Sequence, residues 1–183
     1  MIASLDTEFT HLPAPQLHSI GLFTLGGREH YDEIVLATAA AQTRVRAYSA
    51  FVRFGGVLDL WGQMPGAAGI AREIGRCTRP WLLALAAGLK ARVEIAHDYS
   101  IDFELLEYAV RDAGLRERVR DVVLPVNVAG LNETMEGELA AEACYVELGT
   151  RGLERHHTLA EGPALRAACV RVKGIAKGAS HVR

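Results

Sequence analysis

The sequence predicts a layered α/β domain on a mixed sheet. Three observations point there. The chain opens with closely spaced apolar runs of strand character, the apolar spacing changes to a helical period near Thr38, and two later strand-like runs alternate with helical ones. The expected order is three strands, two helices, a strand, a helix, a strand and two helices.

Each element has a local reason. Ile2–Leu5 reads as a short apolar strand, followed at once by acidic and polar residues. His18–Leu25 is a second strand, rich in Ile, Leu and Phe. Gly26-Gly27 signals a two-residue hairpin, because both positions tolerate positive φ, so Arg28–Leu36 is expected antiparallel to the second strand. Thr38–Phe54 is alanine-rich with helical spacing and is broken by Gly55-Gly56. Residues 62–69 form a loop around Pro65. Thr78 is a candidate N-cap, with Pro80 in the first turn and Trp81–Leu89 as the helix body. Arg92–Ala96 alternates like a strand, and Asp102–Ala113 is a helix stopped by Gly114. Asp121–Val128 is a strand, Glu136–Leu148 a helix stopped by Gly149, and Ala160–Val172 a last helix. The basic end, residues 173–183, is expected to fray.

Composition bounds the class. A chain of 183 residues predicts one domain, and its 50% hydrophobic and 23% charged content is that of a packed protein rather than a disordered one. Cys77, Cys144 and Cys169 are odd in number and widely spaced, with no CxxC pair. That argues against a disulfide framework or a zinc knuckle and fits a reducing cytosol. The longest apolar run, Trp81–Leu89, falls well short of the about 20 residues a membrane span needs. The N-terminus starts with an acidic strand rather than a basic, apolar leader. The expectation is a cytoplasmic protein away from the membrane. A net charge of −2 argues against coating long nucleic acid by charge alone, and leaves room for an enzyme that grips a few nucleotides.

Four segments carry chemistry. Asp6-Thr7-Glu8 ends the first strand, where residues two apart share a face. Two such carboxylates repel unless a cation lies between them, and Mg²⁺ or Mn²⁺ takes oxygen ligands of this kind. The structural alternative is a solvated strand end, against which Ile2–Leu5 before them and Phe9 after them place the acids at the edge of the core. His97-Asp98-Tyr99-Ser100-Ile101-Asp102 lies between the fourth strand and a helix, with Asp102 near the positive helix end or acting as a plain N-cap. His156-His157-Thr158-Leu159-Ala160-Glu161 precedes the last helix. Pro163 belongs in a first turn, so Glu161 sits at the helix start and His156 on the loop. A histidine beside metal-bound acids is placed as a general base; two solvent-facing loop histidines are the alternative. Arg44, Arg46, Arg53, Arg111, Arg116, Arg118 and Arg120 are basic positions that serve as solvated faces or phosphate contacts.

Taken together, the order Asp-x-Glu, then Asp, then His with an acid five residues on resembles the DEDDh 3′–5′ exonucleases of the ribonuclease-H-like superfamily. Asp6-Thr7-Glu8-Phe9-Thr10 resembles the first motif. His97–Asp102 is similar to the second, H-N-x-x-F-D, with Asp98 in the asparagine place and Ile101 in the phenylalanine place. His156–Glu161 is similar to the third, H-x-A-x-x-D, with Thr158 for the alanine and Glu161 for the aspartate. Asp6–Thr10 with the run Pro15–Leu22 is also similar to a smaller bacterial branch of 3′–5′ exoribonucleases.

The resemblance implies a ribonuclease-H-like fold: a central mixed sheet of about five strands with helices on both faces. The exonuclease domain would span residues 1–172 and a basic tail residues 173–183. Asp6, Glu8, Asp102 and Glu161 would hold two Mg²⁺ or Mn²⁺ ions, and His156 would be the general base. Phe9 and Thr10 would contact the terminal nucleotide of a single-stranded RNA or DNA 3′ end. Products would be nucleoside 5′-monophosphates, and a homodimer is implied. Three readings follow: an active exonuclease, with RNA favoured; a degenerate exonuclease fold that binds nucleic acid or nucleotide without cleavage, for which Glu161 is the motive; and an interaction domain with decorative acids.

Overall fold

The computed structural model describes residues 2–10, 12–34, 71–114, 121–153, 155–172 and 174. Five strands are β1 (Ile2–Phe9), β2 (Leu17–Thr24), β3 (Glu29–Glu33), β4 (Val93–His97) and β5 (Val123–Asn127). The described helices are α1 (Ala71–Leu89), α2 (Ser100–Asp112), α3 (Ala129–Asn132), α4 (Met135–Gly149) and α5 (Thr158–Val172). The strand order is β3-β2-β1-β4-β5. β1 pairs antiparallel with β2 and parallel with β4, so the sheet is mixed. The fold class is the one expected, α/β with a five-stranded mixed sheet, and it is consistent with a ribonuclease-H-like architecture. The helix expected at Thr38–Phe54, the loop at residues 62–69 and the tail apart from Gly174 lie outside the described residues.

Alternation along β1 sorts the two faces. Ala3 and Leu5 join Ile20 and Leu22 of β2 and Val93 and Ile95 of β4 in one apolar layer. Ile74, Leu82 and Leu85 of α1 and Leu105, Leu106 and Ala109 of α2 cover it. Each such large side chain contributes about 1.5–3 kcal/mol by leaving water. The other face is covered by α5. There Ile2 and Ala96 meet Leu165 and Cys169. Ser4 Oγ donates to the Gly162 carbonyl at 2.7 Å, and the hydroxyls of Ser19 and Thr158 share a hydrogen bond of 2.8 Å. Gly21 and Gly162 make this approach possible. A Cβ at either would overlap the Phe23 ring, and one at Gly21 would also strike Thr158.

The structure corrects several boundaries. β1 runs four residues beyond Leu5, because Asp6 to Glu8 continue the ladder against Gly21 to Ser19. The β2–β3 connection is a three-residue turn. Thr24 and Arg28 close it, the Gly27 N–H donates to the Thr24 carbonyl, and Gly27 alone of the glycine pair has positive φ, at 82°. β3 stops at Glu33, short of the expected Leu36. Thr78 is not an N-cap. α1 starts at Ala71 and carries Pro80 in its interior. Ile74, Thr78, Leu82 and Leu85 form one buried stripe through it, and its burial outweighs the roughly 3 kcal/mol an interior proline costs. α5 likewise starts two residues before the expected Ala160, which puts Pro163 beyond its first turn. α2 starts at Ser100 rather than Asp102. The short helix α3 was not expected. No described helix is long and apolar enough to cross a membrane.

Candidate active site

The site forms where β1 and β4 part. Their parallel pairing reaches Ser4 opposite Ala96; β1 then continues to Phe9, while β4 ends at His97 and the chain turns into α2. From β1 the chain proceeds to β2 and β3 on one side and later to β4 and β5 on the other. The crevice at the carboxyl ends of two such strands is where open α/β sheets bind ligands. A β-bulge between Glu8 and Phe9 re-aims the last residues of β1.

The resulting cleft, about 430 Å³, is lined by Asp6, Thr7, Glu8, Phe9, Asp98, Tyr99, Asp102, Ala129, Glu133 and Glu161. It holds six carboxylates and, among the described residues, no lysine or arginine. Asp6 and Glu8 share the face of β1 that looks at α5. Glu161, in the first turn of α5, meets them: one carboxylate oxygen from each of the three lies within 4.8 Å of the others. Asp102 comes from the opposite face. It sits on α2, and Thr7, one residue out of phase with Asp6 and Glu8, donates to its Oδ1 at 2.7 Å.

These acids strain each other. Burial, then the charges of Glu161, Glu8, Asp102 and Asp98, holds the Asp6 carboxyl well above the usual carboxylate range. Burial followed by Glu161 and Asp102 does the same to Glu8. Asp102 is pushed up to about 7 by burial, with the Thr7 hydroxyl opposing and Asp98 and Glu161 reinforcing. Asp6 is only 8% exposed, and its Oδ2 is buried without a hydrogen-bond partner. A buried, partnerless carboxylate oxygen among other carboxylates is costly unless a cation joins them. The donor set, hard oxygens only, fits a hard divalent ion.

The remaining expected residues divide. Phe9 lines the cleft, half-buried, with its ring stacked on Tyr99 at 6.4 Å between centroids. Thr10 does not: it is 3% exposed, and its Oγ1 accepts the Gln16 N–H at 3.0 Å while its own N–H donates to the Gln16 carbonyl. Its hydroxyl braces the loop after β1. His156 lies outside the cleft lining, about half exposed, at a positive φ of 64°. Its N–H donates to Glu161 Oε1 at 3.0 Å, and its Nδ1 lies 3.3 Å from the same oxygen. His157 is not a solvent-facing loop residue. It is 5% exposed and caps α5, its Nδ1 accepting the Leu159 N–H at 3.0 Å. Of the basic positions, Arg111 stands over the Tyr108 ring away from the cleft; Arg44, Arg46, Arg53, Arg116, Arg118 and Arg120 lie outside the described residues.

Asp98, Tyr99 and Glu133 are cleft residues that the motif reading left without a role. Asp98 and Tyr99 were within reach, since they lie between His97 and Asp102 and follow a strand end. Glu133 had no sequence signal, because the α3 turn that delivers it is too short to carry a period. No protein-family model matches the chain, and no curated protein matches it.

Proposed function

We propose that the protein is a metal-dependent 3′–5′ exonuclease, acting by preference on single-stranded or short RNA and releasing nucleoside 5′-monophosphates. The observation that carries this reading is the meeting of Asp6, Glu8 and Glu161 within 4.8 Å in a cleft that Asp102 also lines. These positions come from three distant stretches of chain, and they are the ones the motif order singles out. Asp6, Glu8, Asp102 and Glu161 would hold two Mg²⁺ or Mn²⁺ ions. Bound there, such ions supply Lewis-acid stabilisation of a scissile phosphate and a more acidic water.

The chain's own groups have separate tasks. The ring of Phe9, with Tyr99 against it, offers a stacking surface for the terminal base. His156, oriented at Nδ1 by Glu161, takes the proton of the attacking water at Nε2. The ribonuclease-H-like architecture, the homodimer and the cytoplasmic location belong to the same proposal, and rest on the motif resemblance.

One observation favours the degenerate reading, binding without cleavage: His156 lies outside the cleft lining and is engaged with Glu161. Incubating 5′-labelled RNA and DNA oligomers with Mg²⁺ or Mn²⁺ decides between them. A ladder shortening from the 3′ end, with mononucleotide products, supports the exonuclease. Metal-dependent oligomer binding with no product supports the second reading. Neither binding nor product overturns both.

A further inference from the structure

The start of α5 is held by the β2–β3 hairpin through groups that the nuclease reading does not use. Tyr31 of β3 stacks its ring on His157, with centroids 5.5 Å apart and 23° between the planes. His157 organises the first turn of α5: its Nδ1 accepts the Leu159 N–H, and its carbonyl accepts those of Ala160 and Glu161 at 2.6 and 3.0 Å. The Tyr31 hydroxyl donates to Glu33 Oε2 at 2.6 Å. Glu33 stands opposite Ser19 in the sheet, and Ser19 shares its hydroxyl hydrogen bond with Thr158, the first residue of α5. Burial and then Glu33 hold the Tyr31 phenol far above its ordinary range, so it stays a neutral donor.

Glu161 lies four residues after His157, and its backbone N–H is one of those His157 accepts. The rotation of this first turn about the helix axis decides whether the Glu161 carboxylate meets Asp6 and Glu8. A helix end anchored by one hydrogen bond can roll; the Tyr31 ring stack added to the Ser19–Thr158 hydrogen bond resists that roll. We propose that Tyr31 is a positioning residue for the carboxylate cluster: through His157 it sets the first turn of α5 and so the place of Glu161. The proposal rests on the reading of Asp6, Glu8 and Glu161 as a cation site.

Calorimetric titration of the full chain with Mn²⁺ alone tests it, with folding followed by circular dichroism. Tyr31→Phe keeps the ring and should bind Mn²⁺ within about twofold of wild type. Tyr31→Ala and His157→Asn lose the stack, and His157→Asn keeps a cap acceptor for Leu159. Each should weaken Mn²⁺ by about 10–100-fold, the usual effect of removing a group that orients a ligand. Leu5→Ala, a core cavity on the opposite face of the sheet from the stack, separates positioning from stability: it should melt earlier yet keep wild-type affinity. Folded Tyr31→Ala or folded His157→Asn with wild-type affinity overturns the proposal, as does an equal loss of affinity in Leu5→Ala. Should Tyr31→Ala not fold, His157→Asn and Tyr31→Phe decide. If wild type takes up no Mn²⁺, the cation reading itself falls, and the positioning role falls with it.

Discussion

On one face of the sheet, β1 sends Ala3 and Leu5 into a wide apolar layer against α1 and α2. On the other, one residue out of phase, it sends Ser4, Asp6 and Glu8 toward α5. The first face is built from large aliphatic side chains, whose stabilisation scales with area and tolerates small shifts. Around the small apolar cluster of Ile2, Ala96, Leu165 and Cys169, the second is built from hydroxyls, glycines and acids. Its geometry is set by the 2.7 Å bond from Ser4 to Gly162, the 2.8 Å bond between Ser19 and Thr158, and the approach that Gly21 and Gly162 allow. Placement and stability are therefore divided by residue parity along a single strand. The wide apolar layer supplies most of the folding energy, and the acids that β1 sends toward α5, Asp6 and Glu8, reduce it.

The largest expected effect separates two neighbours on the α5 side. His156→Ala should lower turnover by roughly 10²–10⁴-fold and leave Mn²⁺ binding nearly intact. His157→Ala should instead cost about 0.5–2 kcal/mol of stability by removing a cap and weaken Mn²⁺ by losing the Tyr31 stack, with the rate at saturating Mn²⁺ kept. Single-turnover rates and urea melts of both variants check this. A crippling His157→Ala beside a mild His156→Ala would reverse the assignment.

Next come paired substitutions across β1. Asp6→Asn should cost on the order of 10²–10³-fold in rate, about what removing one oriented stabilising group at a reacting centre costs. It should also raise the melting temperature in EDTA, because a repelling buried charge is gone. Leu5→Ala should do the opposite, losing about 2–5 kcal/mol of stability while the folded fraction keeps its rate per molecule. If Asp6→Asn destabilises the metal-free protein, the acid cluster is not strained and the contrast between the faces fails.

The effect of pH is smaller and has a definite sign. The carboxyls of Asp6, Glu8 and Asp102 are raised in the folded protein. Between an unfolded carboxylate value of about 4 and the Asp102 value of about 7, the folded state holds protons that the unfolded chain has lost. More protons bound when folded means that stability falls as pH rises through that window. Melting temperatures in EDTA should therefore decline from about pH 4 to pH 7. In Mn²⁺ the added stabilisation should grow with pH, since the cation competes with protons. Parallel slopes in the two series would break the account.

The smallest expected effect concerns side-chain length. Glu161 Oε1 reaches back to the His156 N–H, and an aspartate falls short of it. Glu161→Asp should lose a few tenths to about 1 kcal/mol, an ordinary hydrogen-bond value, while keeping Mn²⁺ binding and turnover. Glu161→Ala should remove both. Full activity in Glu161→Ala, read in the oligonucleotide ladder, would take this residue out of the site.

Much of this was legible along the chain. The fold class, all five strands and the helices ending at Gly114 and Gly149 follow from local period and from the residues that punctuate it. The parity of Asp6 and Glu8 follows from strand geometry alone, and the cleft is lined by four of the acids marked by the motif order. Local pattern misled at Thr78–Pro80 and Pro163, because both prolines read as first-turn residues. It also missed Glu133, whose helix is too short for any period.

What the sequence by itself determined is which side chains share a face and which acids stand at element ends, since both depend on repeats of two or 3.6 residues. The tertiary structure decided who meets whom. β1 extends past Leu5 only because β2 offers Gly21 and Ser19 as ladder partners. Thr10 turns inward because Gln16 satisfies it, and His157 is buried because Tyr31 covers it. Asp102 reaches the cleft from the opposite face of the sheet through Thr7. Such pairings join residues up to well over a hundred positions apart, as Ser19 and Thr158 are, and no local pattern encodes them. They are selected by the packing of whole elements, as where α5 comes close to β2 because Gly21 and Gly162 leave room.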